Sequence, residues 1–252
     1  MSTNHSNGNG SSSEHRLTKL GELPMLEAAT AHHAVAVDIV LFTIQDAALR
    51  VLLVKRSKAP FRGAWSLPGG LVRHQESVDE AALRELQEAT SVTTVYLEQL
   101  YTFGDLDRDP RGRVITVSYY AMVDWGQFQL KAQTKLTGAK WFAMNRLPGL
   151  AFDHKRIVHS ALERLRNKVN YTSVAFQLLP KTFTLSDLQR AYEVILDKKL
   201  DKRNFRKKML QLGILKDTGK YKSEGRRRPA RLYSFTETHV IKLQEKGIIA
   251  PF

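Results

Sequence analysis

Between Gly69 and Val92 the chain reads GGLVRHQESVDEAALRELQEATSV, and no other stretch constrains the fold as tightly. Five residues separate Gly70 from Glu76, and seven separate Glu76 from the run Arg84-Glu85-Leu86-Gln87-Glu88. Ser77 and Glu80 have the S-x-x-E spacing of a capping box, so a helix should start near Val78. Val78, Ala82, Leu86 and Ala89 then recur at the period of a core-facing helical stripe. Glu85 and Glu88 are three apart, which puts both carboxylates on one helix face. Glu76 can close on that face from the preceding loop. Such a cluster suits a hard divalent cation carrying a pyrophosphate.

The spacing resembles the Nudix box, a loop–helix–loop written G-x5-E-x7-R-E-U-x-E-E-x-G-U with U aliphatic. Two positions depart from it. Ala89 stands where the family has the second Glu of its E-E pair, and Ser91 stands where it has Gly. In Nudix hydrolases the carboxylates matching Glu85, Glu88 and Ala89 hold the metals that activate water. The resemblance therefore implies a Nudix fold kept for binding, with hydrolysis weakened or lost.

At 252 residues the chain is long enough for two domains. It contains no cysteine, which excludes disulfides and thiolate zinc sites and fits a reducing cytoplasm. No apolar run approaches the length of a membrane span. The opening MSTNHSNGNGSSSEH is polar and lacks the apolar core of a signal peptide, so residues 1–33 are expected to form a disordered tail or arm. The net charge of +14 is uneven: residues 171–252 hold 18 Lys+Arg against 8 Asp+Glu, leaving 21 against 17 in the first 170. A small domain with most of the excess has the electrostatic footprint of a polyanion binder.

In chain order, Ala34–Phe42 and Leu49–Arg56 read as strands joined by a turn at Gln45–Ala48. His32 and His33 read as ordinary polar residues rather than metal ligands. Pro60–Gly70 is a Gly/Pro-punctuated loop, with Trp65 expected to pack it. Residues 95–103 read as extended, Val114–Val123 as a long strand and Gly138–Phe142 as a short one. Between the first two of these, D-R-D-P-R-G-R offers Arg108, Arg111 and Arg113 as guanidinium partners for a diphosphate. This loop with its following strand looks like the ADP-ribose-handling branch of the Nudix family. Asp153 is placed to cap a helix from His154 to Lys168, striped by Ile157, Ala161, Leu162 and Leu165.

The remaining residues read as a winged helix-turn-helix. Thr184–Asp187 offers a cap, and Leu185, Leu188, Tyr192 and Ile195 follow at helical spacing. Asp197–Leu200 is the turn. Asp201 caps the next helix, which Gly213 ends. There Phe205, Met209 and Leu212 point inward, while Arg203, Asn204, Lys207 and Gln211 point out. Arg and Asn are residue types that read guanine and adenine edges. Ile214–Thr218 and Ala230–Phe235 read as a hairpin with a basic tip, Gly219–Pro229, suited to phosphates or a minor groove.

The whole resembles the NrtR-like, Nudix-related transcriptional regulators of NAD metabolism. The match rests on L-A-F-D-H (150–154), L-L-P-K-x-F-T-L (178–185), L-D-K-R-N-F-R-K-K (200–208) and G-R-R-R-P-A-R-L-Y (225–233). It implies an α+β chain: a Nudix α/β/α sandwich with mixed sheet over residues 34–152, a linking helix at 153–170, and a winged helix-turn-helix at 171–252. It implies a bacterial homodimer that represses NAD biosynthesis or salvage genes and leaves double-stranded operator DNA when ADP-ribose binds. The effector site would use Arg56, Gly70, Glu76, Arg84, Glu85, Glu88, Arg108 and Arg113. The DNA surface would use Lys202, Arg203, Asn204, Arg206, Lys207, Lys220, Arg226, Arg227, Arg228 and Arg231. No catalytic or metal-ligating residue is assigned, no cofactor is required, and Mg²⁺ binding is expected to be weak at most. Two alternatives stay open: an active ADP-ribose pyrophosphatase with an added nucleic-acid-binding domain, and a sugar-responsive regulator of the same architecture.

Overall fold

Strand β1, Ala34–Gln45, is an almost unbroken apolar run because both of its faces are covered. In the computed structural model, which describes residues 33–90, 97–126, 138–169, 177–223 and 229–236, it is central to a seven-stranded mixed sheet. It pairs antiparallel with β2 (Ala48–Lys55) and β4 (Gly69–Leu71), and parallel with β6 (Val114–Met122). Strands β3 (Trp65–Ser66) and β7 (Ala139–Ala143) pair with β2, and β5 (Glu98–Phe103) pairs with β6. The β1–β2 turn places Asp46 and Ala47 at φ 51° and 55°, the double left-handed geometry of a two-residue hairpin.

Alternation along β1 sorts the two layers. Val37, Ile39 and Leu41 pack with Ala81, Ala82 and Leu86 of α1 (Val78–Thr90). Val40 and Phe42 pack with Ile157, Val158, Ala161 and Leu165 of α2 (His154–Val169). The result is the expected α/β/α sandwich. Ser77 and Glu80 form the capping box at the start of α1, with bonds of 2.7 and 3.2 Å. The expected stripe shifts at the helix end. Thr90 is buried there while Ala89 is half-buried, and the Thr90 hydroxyl is satisfied by the Leu86 carbonyl at 2.6 Å. Trp65 packs edge-on against Phe142, with centroids 4.8 Å apart.

Beyond α2, a three-stranded sheet of order β8-β10-β9 carries two helices: β8 is Phe183–Thr184, β9 Leu215–Lys222 and β10 Ala230–Phe235. Helix α3 (Leu185–Leu196) starts at a reciprocal Thr184/Asp187 capping box. Helix α4 (Lys202–Gln211) starts on the Asp201 carboxylate, which accepts from the Asn204 N–H at 2.7 Å. Gly213, at φ 67°, ends it. The hairpin is longer than its sequence indicates. Gly219, Lys220, Tyr221 and Lys222 belong to β9, not to the tip, because Tyr221 pairs with Arg231 and Lys222 with Ala230. Thr218, Gly219 and Lys220 bulge opposite Leu232, with Gly219 left-handed at φ 70°.

One apolar cluster runs through both halves. It joins Phe42 and Val51 of the large sheet to Leu165 and Val169 of α2, and these to Leu188, Tyr192, Phe205 and Met209. Arg166 of α2 adds a hydrogen bond from Nε to the Ile195 carbonyl, at 3.0 Å. Helix α2 is thus a shared wall. Among the described residues no helix is long and apolar enough to cross a membrane. Residues 1–32 of the expected 1–33 tail, and Ser91, Arg226, Arg227 and Arg228, lie outside the described residues.

Candidate functional site

The box closes on itself. A Cβ at position 69 would lie 2.2 Å from the Val37 carbonyl oxygen, so glycine lets β4 lie this close to β1, while Gly70 leaves the space that the Glu85 carboxylate fills. Arg84 takes Glu76 bidentately, through Nε at 2.9 Å and Nη2 at 2.6 Å. Its Nη1 donates to Glu85 at 2.6 Å and lies 3.6 Å from Glu88, which also meets Arg73 at 3.4 Å. The hydrogen bonds from Arg84 hold the Glu76 carboxyl down to about 2. These carboxylates face a guanidinium, and Ala89 offers no oxygen. Among the described residues no group of three His, Cys, Asp or Glu is disposed to hold a metal.

Glu76 titrates below its ordinary value of 4.5, so it contributes stability above pH 4.5 that is lost as pH falls toward about 2. A Glu76→Gln variant is expected to show a flatter stability profile across that window. Urea midpoints measured from pH 2 to 6 check this, and superimposable profiles would break the Glu76–Arg84 argument.

Next to Gly69 and Gly70 opens a cleft floored by a buried ionic network and rimmed by two arginines. Asp38, a lone acid inside the apolar β1, accepts from Arg108 Nη2 at 3.2 Å and lies 3.3 Å from His154 Nε2. Arg108 forks onto Asp153 as well, at 3.1 and 2.9 Å. His154 Nδ1 accepts the Leu67 N–H at 2.9 Å, which leaves Nε2 to carry the proton toward Asp38. Burial alone would raise the Asp38 pKa; His154, Arg108 and Thr116 outweigh it and hold the carboxyl below its usual range. Asp153 stands at the N-cap position of α2, as expected, but its carboxylate goes to Arg108 rather than to the helix. Instead its carbonyl takes the first turn's N–H groups, from Arg156 at 2.9 Å and Ile157 at 3.2 Å.

On the rim, Phe152 holds a left-handed φ of 52°, an uncommon conformation for a bulky residue. The Arg56 guanidinium sits 4.6 Å from its ring centroid and that of Arg111 5.9 Å away. Arg111 is oriented by Asp109, at 3.0 and 2.7 Å. Burial and then the nearby Arg111 charge lower the Arg56 pKa. Two guanidiniums about one aromatic ring make a site that an anion would relieve.

The expected effector residues therefore separate. Arg56, Gly70 and Arg108 line the cleft, while Glu76, Arg84, Glu85 and Glu88 form the ion-paired box beside it. Arg113 does not line it and donates to the Gly104 carbonyl at 2.5 Å. Asp38, Phe152 and His154 were missed. The signal for Asp38 was an acid amid an apolar strand; for Phe152 the conformation that matters is not legible in sequence.

On the second half, Lys202, Arg203, Asn204 and Lys207 are exposed along α4. Arg206 is half-buried and donates to the Ser186 hydroxyl at 3.1 Å. Lys220 is exposed on β9. Arg231 pairs with Asp217 at 2.7 Å and lies over the Tyr221 ring.

Comparison with known proteins gives two family matches. Residues 32–161 match the NUDIX domain, and residues 175–235 match the NrtR DNA-binding winged helix domain. A protein of Acinetobacter baylyi named ADPR responsive transcriptional repressor NtrR is 37% identical over 203 residues, covering 79% of this chain and 80% of that one. An ADP-ribose pyrophosphatase of Methanocaldococcus jannaschii is 40% identical over 127 residues, 50% of this chain and 72% of its own. The crystal structure of Shewanella oneidensis NrtR complexed with a 27mer DNA superposes with a TM-score of 0.74 at 40% identity. It covers 82% of this chain and 95% of that chain.

Proposed function

Because the chain belongs to the NrtR family, in which a Nudix domain is joined to a DNA-binding winged helix, we propose that it is a bacterial transcriptional repressor of NAD biosynthesis or salvage genes, released from operator DNA by ADP-ribose. The observation that carries the ligand is the Arg56–Phe152–Arg111 rim beside the glycines of the box. Arg56 and Arg111 hold the diphosphate, and Gly69 and Gly70 let it approach the backbone. The guanidinium pair favours a diphosphate ligand over a plain sugar.

The route to DNA runs through α2. Arg108, below the rim, holds Asp153 at the head of this helix, and Leu165 and Val169 at its far end pack into the winged-helix core. An occupant that repositions the 104–113 loop moves α2, and α2 moves the winged helix. In a homodimer, two such helices must sit about 34–36 Å apart to reach successive major grooves. A ten- to hundredfold loss of DNA affinity needs only about 1.4–2.8 kcal/mol of coupling.

Hydrolysis is weakened because Ala89 supplies no carboxylate where the box has its second Glu. The similarity to an ADP-ribose pyrophosphatase favours a second reading, an enzyme recruited to nucleic acid. One experiment separates them: binding of an operator fragment with and without ADP-ribose, with Mg²⁺ present and AMP monitored. The repressor reading expects release without turnover. AMP formation at ordinary enzyme rates, on the order of 1–10³ per second, selects the enzyme. Operator binding indifferent to ADP-ribose rejects the proposed effector.

A further inference from the structure

A second cleft, of about 600 Å³, opens where the two halves of the chain meet. It shares no lining residue with the Arg56–Phe152–Arg111 cleft. One wall is the β1–β2 turn and the short 3₁₀ turn at Met144–Arg146. The other is the C-terminal half of α3 with the turn that follows it, and Leu162 and Arg166 of α2 lie between. The volume falls within the roughly 300–1,000 Å³ of small-molecule sites.

The chemistry of its lining is two-part. Ala48, Leu49, Met144, Leu162 and Val194 supply apolar surface. Four cations and two acids complete it, and the acids are already engaged. Glu193 accepts from Gln189 at 3.2 Å and from the Leu200 N–H at 2.9 Å, and pairs with Lys199 at 3.4 Å. Asp197 lies 3.9 Å from Arg166, whose Nε is held by the Ile195 carbonyl. Among the described residues no hydrogen bond or ion pair engages the Arg190 guanidinium or the Lys198 ammonium, and both groups are exposed. A cleft with an apolar interior and two uncommitted cations on its rim is complementary to an aromatic anion.

We propose that this junction is a second ligand site, for a small organic anion with an aromatic body and one carboxylate, sulfonate or phosphate group. Its walls come from both halves, so an occupant favours one relative pose of the winged helix over others. This inference does not depend on what fills the Nudix cleft.

The test uses the full chain and 8-anilinonaphthalene-1-sulfonate, an aromatic body with one sulfonate, followed by fluorescence. Saturable binding of one probe per chain is expected. Arg190→Gln should weaken it about tenfold, as the loss of one charge-assisted hydrogen bond requires. Ala48→Phe, which fills the apolar wall, should abolish it. Arg56→Gln should leave it unchanged. Unsaturable binding, or equal binding by every variant, overturns the proposal. Loss of binding on Arg56→Gln also overturns it, because the probe would then sit in the Nudix cleft. Circular dichroism of Ala48→Phe guards against unfolding, and if that variant fails to fold, Arg190→Gln alone decides.

Discussion

Replacing Arg108 with methionine is expected to lower the unfolding free energy by about 3–5 kcal/mol, the cost of removing one partner from a buried ionic network. The Arg108 side chain is 3% exposed, and its guanidinium faces the carboxylates of both Asp38 and Asp153. Methionine matches the apolar volume of the arginine stem but leaves two acids without their shared cation. Asp38 keeps His154 at 3.3 Å, whereas Asp153 would lose its two hydrogen bonds from Arg108. Adding Asp153→Asn should therefore recover part of the loss. Urea unfolding of the two variants measures this, and a loss under about 1 kcal/mol would mean that the network is solvated and contributes as a surface pair does. The same variant probes coupling. Arg56 and Arg111 remain to bind ADP-ribose, but the tie to the head of α2 is gone. ADP-ribose should then bind and release operator DNA poorly, and normal release would remove Arg108 from the route.

Arg203→Ala is expected to cost about 1–3 kcal/mol of operator affinity and to relax preference at one base pair, the result of losing a bidentate guanine contact. Arg203 is exposed near the start of α4, and no hydrogen bond or ion pair of its side chain occurs among the described residues. Arg206, three residues on, is tethered to Ser186 and half-buried. Arg206→Ala should accordingly weaken all sequences alike, as loss of a phosphate contact does, and reduce the salt slope by about 1. A panel of single-base operator variants titrated at several salt concentrations separates the two behaviours. An unchanged affinity and base profile for Arg203→Ala would take that residue out of the interface.

Much of this protein was legible before its fold was known, because local physics writes local signals. The Ser77/Glu80 and Thr184/Asp187 boxes, the Asp201 cap and the Gly213 stop depend only on orphan backbone groups within one turn of the residues that satisfy them. The inward faces of α3 and α4 follow from helical period alone, and the burial of β1 follows from an apolar run that only Asp38 interrupts before Thr43. The length of the wing was not legible. Gly219 and its polar neighbours read as a turn, yet a bulge lets the strand continue once β10 is beside it. Nor was the cleft. Asp38, Arg108, Asp153 and His154 come from three separate stretches of sequence, and Asp153, locally a plausible cap, is claimed by an arginine 45 positions away. Helical period put Glu85 and Glu88 on one face, but that Arg84 reaches Glu76 in the preceding loop was decided by the fold. Sequence alone determined which elements form and which faces they bury, since those depend on neighbours along the chain. Tertiary structure alone decided which charges meet, since a buried ion pair depends on what the fold brings within about 3 Å.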